Sequence, residues 1–164
     1  AQNLGAGNTK RVKQGYSASM KLVLVFVAVV SVLIWLFGKY FIMAFMDAKL
    51  GETAIANGIE YLKIVSIFYF IFGIMCVTNG ILRGAGDMKA FMASTLVNIT
   101  GRIVFAYALA PIMGYQAIFW SIPLGWALAA VISFLRYISG KWKNVTVISK
   151  KGEQNDTERE NVSG

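Results

Sequence analysis

The sequence predicts an all-α integral membrane protein with four transmembrane helices. Hydrophobic residues make up 57% of its 164 residues and charged residues only 15%, whereas an average soluble domain carries about 25% charged residues. The apolar residues form long runs with almost no charge, and basic residues cluster between these runs. A hydrocarbon core about 30 Å thick requires roughly 20 helical residues, so each run is long enough for one span.

The four spans are predicted at about residues 18–40, 60–82, 89–111 and 116–137. The first two contain the uncharged stretches Leu22–Gly38 and Ile64–Leu82, and Arg102 alone interrupts the third with a charge. Strands of a membrane barrel alternate apolar and polar residues. The run LVLVFVAVV from Leu22 does not alternate, so helices are predicted for all four spans.

The basic residues indicate the orientation of the spans. Most of the 16 lysines and arginines lie before the first span, between the second and third spans, and after the fourth. These regions share one side of the membrane, and the positive-inside rule places that side in the cytoplasm. We interpret the net charge of +8 as topology and attraction to anionic lipid, and we expect no nucleic-acid binding. Residues 141–164 are predicted to form a disordered cytoplasmic tail.

The composition argues against an enzyme and against a metal site. Histidine is absent and Cys76 is the single cysteine, so the sequence lacks the commonest general base and cannot form a thiolate metal site. The N-terminal residues are polar and basic, unlike a signal peptide. Because the chain begins at Ala1, within what resembles a loop, we expect it to be a fragment of a longer protein.

Two short glycine-containing motifs are predicted on the cytoplasmic side. The motif QNLGAG precedes the first span, and the motif LRGAGD joins the second and third spans. Glycine permits the backbone of a tight turn between helices, and this structural explanation is sufficient for either loop taken alone. The candidate motif residues are Gln2, Gly5, Gly7, Arg83, Gly84, Gly86 and Asp87.

Arg102 is the one strongly ionised group predicted deep within a span. A charge at the bilayer centre costs at least about 2.5–3.5 kcal/mol on insertion scales, so the side chain should face protein or a water-filled cavity. Asn98, one turn earlier, is a candidate hydrogen-bond partner, and Glu60 is the nearest candidate counter-charge. Two roles stay open for Arg102: locking the helices together, or contacting substrate or a gate.

One face of the second span is a candidate for lining a substrate cavity. The spacing of three to four residues places its members on one side of a helix, and aromatic rings attract flat organic cations. Plain helix packing is the commoner explanation of such a stripe. The cavity candidates, including two from the third span, are Tyr69, Phe72, Cys76, Asn79, Asn98 and Arg102. In the fourth span, Pro123 predicts either a static kink or a hinge.

The order of these features resembles the second half of the multidrug and toxic compound extrusion (MATE) family. The similarity covers roughly residues 1–140, and its strongest element is the LRGAGD turn after a helix headed by Tyr61-Leu62-x-Ile64. The resemblance implies twelve helices in two pseudo-symmetric lobes around a central cavity. The four spans would correspond to helices nine to twelve, so that residues 1–140 form part of the C-terminal lobe.

The resemblance also implies a function and a location. It implies a secondary active antiporter of the bacterial cytoplasmic membrane, which exports amphipathic organic cations or drugs by alternating access. Its partners would be the lipid bilayer, its substrates and the remaining helices of the same transporter, with no cofactor. Some sodium-coupled members carry an acidic residue about three turns before the Arg-Gly turn. Phe72 occupies that position here, so the coupling ion, H⁺ or Na⁺, is expected to bind in the missing part.

Two alternatives to an efflux antiporter stay open. One is a flippase of the same superfamily that moves lipid-linked saccharides, although its cavity should contain several basic residues where this chain offers only Arg102. The other is a four-helix membrane scaffold subunit that transports nothing.

Overall fold

The computed structural model describes residues 2–45 and 51–145 of the chain, and within them all regular structure is helical. Three helices are individually long and apolar enough to cross a membrane, and two shorter helices meet the same requirement only together, as a bent pair. The predicted all-α membrane fold is confirmed, with four spans when the bent pair counts as one. The helices are α1 (Gln2–Gly5), α2 (Thr9–Phe45), α3 (Glu52–Ile67), α4 (Tyr69–Gly84), α5 (Met88–Met113) and α6 (Gln116–Ile138), followed by a 3-10 helix (Lys141–Asn144).

Helix α2 is longer than the span predicted at 18–40. Its 37 residues correspond to about 55 Å at 1.5 Å per residue, well beyond the hydrocarbon core. The Asn8 side chain caps the helix by accepting a hydrogen bond from the backbone N–H of Arg11 (3.1 Å). The basic segment before the apolar run is therefore helical. The most apolar part of α2 contains no buried residue within the described structure.

The span predicted at 60–82 consists of α3 and α4, whose axes differ by 54°. Phe68 joins them with a φ of −96° and a ψ of 3°. Just before it, the Ser66 hydroxyl donates to the carbonyl oxygen of Lys63 (2.9 Å), and the Ser66 carbonyl oxygen accepts from Ser31 of α2 (2.8 Å). Serine hydroxyls that bond nearby carbonyl groups compete with the helical hydrogen bonds. The break therefore lies where α2 holds the end of α3.

Helix α6 is the centre of the bundle, because it packs on α3, α4 and α5, while α2 packs on α3 and α4. Small residues permit close approach of membrane helices. At the α5–α6 crossing, Gly101 faces Gly125 and the side chain of Leu128; at the α2–α4 crossing, Gly73 faces Val23. These close crossings hold the spans together as one bundle.

A small apolar cluster closes the end of the bundle where α4 ends and α5 begins. It consists of Leu82, Ala85 and Trp142, all buried. The Trp142 indole N–H donates to the Tyr137 carbonyl oxygen (2.9 Å), and its ring stacks on that of Tyr137 with centroids 5.7 Å apart. The cluster therefore attaches the segment after α6 to the α4–α5 turn.

This attachment differs from the predicted disordered tail at 141–164. Gly140, with a φ of 67°, reverses the chain after α6, and left-handed backbone of this kind favours glycine. Lys141–Asn144 then form an ordered 3-10 helix, because Trp142 fills an apolar site that composition alone does not reveal. Residues 146–164 lie outside the described residues.

Candidate functional site

Two of the cavity candidates belong to an aromatic cluster between α4 and α6. Tyr69 and Phe72 lie about one turn apart on α4, and both rings pack against Trp126 of α6, with centroid separations of 6.1 and 4.9 Å. Phe72 remains 39% exposed. An exposed ring offers the face on which a flat organic cation stacks. We call Tyr69, Phe72 and Trp126 the aromatic cluster. Trp126 was not among the predicted site residues.

Asn79 belongs to a buried polar network that joins three helices. The Ser133 hydroxyl of α6 lies 2.6 Å from the Asn79 side-chain oxygen and 2.8 Å from the Ser94 hydroxyl of α5. The Ser94 hydroxyl lies 3.2 Å from the Ala129 carbonyl oxygen. All three polar side chains are buried. Buried polar groups require hydrogen-bond partners, and Asn79 has one in Ser133. Asn79 therefore has a direct role in packing these helices together.

Asn98 and Arg102 of α5 lie beside the close α5–α6 crossing. The Asn98 amide nitrogen is 3.9 Å from the sulfur of Met75, and its buried side-chain oxygen has no hydrogen-bond partner among the described residues. The Arg102 side chain is exposed, and its Cγ lies against Gly125. In the part of the chain that the structure describes, Arg102 and Asn98 do not form the expected hydrogen bond.

Glu60 is not the counter-charge of Arg102 in this structure. Its carboxylate accepts a short hydrogen bond (2.6 Å) from the side-chain amide of Gln116, at the start of α6. The same two helices also meet through the rings of Tyr61 and Phe119, whose centroids are 5.3 Å apart. Glu60 therefore joins α3 to α6 at the end of the bundle away from the LRGAGD turn.

Cys76 lies in a different environment from the aromatic cluster. Its side chain is exposed, in a groove between α2 and α4 that Tyr16, Ser19 and Gly80 also line. The predicted face of α4 is therefore divided between two neighbours, because α6 takes the aromatic residues and Asn79 while α2 approaches Cys76. Within the described parts of the chain, no group of three His, Cys, Asp or Glu side chains could hold a metal ion.

The LRGAGD motif forms the turn between α4 and α5. Gly86 adopts a φ of 81°, which favours glycine, and Asp87 caps α5 by accepting from the Ala90 backbone N–H (3.3 Å). The buried Asp87 carboxylate also accepts from Nε of Arg136 at 2.6 Å. Arg83 lies over the ring of Phe91, with 5.3 Å to the centroid. The motif therefore fixes the ends of three helices.

The QNLGAG motif lies close to the LRGAGD turn. Gln2–Gly5 form α1, and Gly7, with a φ of 70°, turns the chain into α2. Leu4 packs against the apolar cluster that contains Ala85 of the second motif. The two motifs, far apart in sequence, therefore meet at one end of the bundle. No single-sequence pattern predicts this contact, because it depends on how α2 and α4 cross.

Most of the residues described above lie in regions that are similar to known proteins. The family model MatE matches residues 1–108, which include both motifs, the α4 residues of the aromatic cluster, and Arg102. The "Probable multidrug resistance protein YpnP" of Bacillus subtilis (strain 168) is 32% identical over 151 residues, covering 92% of this chain and 33% of that protein. The chain thus spans about one third of the length of this relative. No solved structure matches this chain. Because the family model matches more than half of its residues, the chain belongs to the MatE family.

Proposed function

We propose that this chain forms part of an efflux transporter that exports amphipathic organic cations by alternating access. The MatE match carries the proposal, and the similarity to a probable multidrug resistance protein supports an efflux transporter. Secondary transporters place their substrate sites near the bilayer midplane, between helices. In this chain, we assign the substrate contact to the aromatic cluster, whose Phe72 ring is partly exposed.

The aromatic cluster suits this role because its rings are held while one face stays open. Trp126 is fixed between α4 and α6 by Tyr69 and Phe72. A ring that is already ordered loses little entropy when a ligand stacks on it. Cation–π attraction contributes about 0.5–2 kcal/mol for each favourable contact, so several weak contacts accommodate chemically different cations.

We propose that export is coupled to H⁺ or Na⁺ by a carboxylate outside this chain. Ion coupling requires a membrane carboxylate that binds and releases the ion. Among the acidic residues that the structure describes, Glu52 is exposed in the first turn of α3, Glu60 is hydrogen-bonded to Gln116, and Asp87 is paired with Arg136. None of the three lies at the aromatic cluster, and the place expected for an acidic residue in α4 is taken by Phe72.

We further propose that the end carrying both glycine motifs faces the cytoplasm of a bacterial cell. Lys10, Arg11, Lys13, Arg83, Lys89 and Arg136 lie on segments at this end, which agrees with the positive-inside rule. The protein would then be a multi-pass component of the cytoplasmic membrane.

The test is dye efflux by the complete protein that contains this chain. Cells that express it should export ethidium, and inverted vesicles prepared from those cells should take ethidium up, in a proton or sodium gradient. Phe72→Ala and Trp126→Ala should each raise KM. Phe72→Tyr should retain transport. The matched control is Phe26→Ala, which removes an exposed ring of α2 and should leave KM unchanged.

Three outcomes would refute parts of this proposal. Absence of efflux of any organic cation, with the protein present in the membrane, would favour the scaffold or flippase alternatives. An equal effect of Phe26→Ala and Phe72→Ala would remove the assignment to the aromatic cluster. Replacement of every membrane carboxylate outside this chain without loss of coupling would refute the location of the coupling site.

A further inference from the structure

A groove with a basic rim lies between the start of α5 and the end of α6. It has a volume of about 920 Å³ and is lined by backbone and side chains of Gly86–Ala90 and by the last turns of α6. Three basic residues surround it: Lys89, Arg136 and Lys141. We call it the basic groove. Its volume lies within the range of about 300–1,000 Å³ that is usual for ligand pockets.

The basic groove has an apolar wall as well as a charged rim. Met88 and Leu135 line it and are 49% and 61% exposed, and Ile132 lies one turn further into α6. The wall continues the apolar surface of the two membrane-spanning helices, whereas the rim lies at their polar ends. A ligand that fits both parts must have an anionic head and an apolar body.

The rim carries excess positive charge. Among the residues that the structure describes, Asp87 is the only acidic one lining the groove, and its carboxylate already pairs with Nε of Arg136 and caps α5. Lys89 and Lys141 form no ion pair with any residue that the structure describes. Two ammonium groups are thus available to an anion, together with the remaining N–H groups of the Arg136 guanidinium.

The position of Lys141 is built into the fold. Gly140, with its φ of 67°, reverses the chain just before Lys141. The residue after Lys141 is Trp142, whose buried ring is anchored beside Leu82. Tyr137 continues this anchor, because its ring stacks on Trp142 on one side and on Tyr16 of α2 on the other, at 4.3 Å between centroids. The 3-10 helix therefore holds Lys141 at the rim, where a disordered tail would not.

We propose that the basic groove binds the headgroup of an anionic phospholipid, with the acyl chains along the wall formed by Met88, Ile132 and Leu135. The lipid phosphate accepts hydrogen bonds from Lys89, Lys141 and the Arg136 guanidinium. Basic pockets beside membrane helices at the cytoplasmic side recognise anionic headgroups in this way. A bound lipid would connect the ends of α5 and α6, the helices that the Asp87–Arg136 pair already joins.

The experiment measures lipid binding to the complete protein that contains this chain. The protein is placed in phosphatidylcholine nanodiscs with increasing amounts of phosphatidylglycerol, and bound lipid is counted by native mass spectrometry. The test variant is Lys89→Gln with Lys141→Gln. The matched control, Lys10→Gln with Lys13→Gln, removes two exposed lysines of α2 at the same end. Thermal unfolding of both variants checks that they remain folded.

The groove variant should bind phosphatidylglycerol about thirtyfold more weakly than the original protein, because it loses two hydrogen bonds to the lipid phosphate, each worth about five- to sixfold in affinity. The control variant should bind it within about twofold of the original. Equal weakening in both variants would show diffuse attraction and would overturn the proposal, as would no weakening in either.

Glycerol phosphate separates the lipid from a free anion. Millimolar glycerol phosphate should leave the bound phosphatidylglycerol in place, because it lacks the acyl chains that contact the apolar wall. Displacement of the lipid by this soluble headgroup would show a site for free phosphate esters, and the lipid assignment would then be wrong.

Discussion

Replacing Gly125 by alanine should destabilise the bundle more than the same change at Gly80. A Cβ atom at Gly125 would lie 2.9 Å from the Asn98 backbone oxygen, 2.9 Å from its side-chain oxygen, and against Cγ of Arg102. Side-chain atoms can move by rotation, but the Asn98 backbone oxygen moves only with α5. The methyl group would therefore push apart the close crossing of α5 and α6.

Gly80 provides a matched control, since a Cβ atom there meets nothing within 4 Å. Both glycines lie within helices, so alanine gains about 1 kcal/mol of helix propensity at either position. That gain cancels in the difference between the two variants. Inserting a methyl group into a packed site costs about 1–3 kcal/mol. Gly125→Ala should therefore be less stable than Gly80→Ala by this amount, about 5- to 150-fold in the unfolding equilibrium.

The assay is thermal or denaturant unfolding of the complete protein in detergent. A double variant, Arg102→Ala with Gly125→Ala, should recover part of the loss, because it removes Cγ but leaves the Asn98 backbone oxygen in place. Equal stability of the Gly80 and Gly125 variants would refute the close crossing. Full recovery in the double variant would show that the backbone contact costs nothing.

Three further changes test contacts elsewhere in the bundle, each in the complete protein. Asp87→Asn should lower the free energy of unfolding by about 1–2 kcal/mol, since asparagine keeps the α5 cap but removes the charge facing Arg136; an unchanged denaturant midpoint would contradict this. Ser133→Ala should cost about 1–3 kcal/mol, because the buried Asn79 oxygen loses its donor, and an unchanged melting temperature would exclude the network. Trp142→Ala should accelerate trypsin cleavage at the adjacent lysines by more than about tenfold, since emptying a buried tryptophan site costs about 3–5 kcal/mol; equal cleavage would contradict the anchor.

Hydropathy and charge were sufficient to predict the class and the number of spans, but not where each helix ends. Helix α2 begins at Thr9 because Asn8 caps it, and a cap is independent of where the apolar run starts. The break at Phe68 has no glycine or proline beside it that would predict it, and it lies next to a contact between Ser31 and Ser66 that the sequence does not reveal. Conversely, Pro123 lies inside α6, which continues from Gln116 to Ile138.

The candidate site was predictable only where spacing within one helix determines the contact. Tyr69 and Phe72 share a face of α4 and share a neighbour on α6. No spacing pattern identifies Ser133 as the network partner. The contacts of a single hydroxyl in an apolar span follow only once the crossing of the helices is known. The pairing of Glu60 with Arg102 failed for the same reason, since sequence order does not give the distance between α3 and α5.

Because α3 and α4 meet at a bend at Phe68, a small change in the bend angle would displace the far end of α3 by several ångströms. Helix α3 has 16 residues and is about 24 Å long. A change of about 10° in the 54° bend would displace its far end by about 4 Å, roughly the width of a side chain. Within α4 the hydrogen bonds would stay intact during this motion. Glu60 lies about halfway along α3, roughly 12 Å from Phe68, so the same change would move it by about 2 Å, enough to break its 2.6 Å hydrogen bond to Gln116.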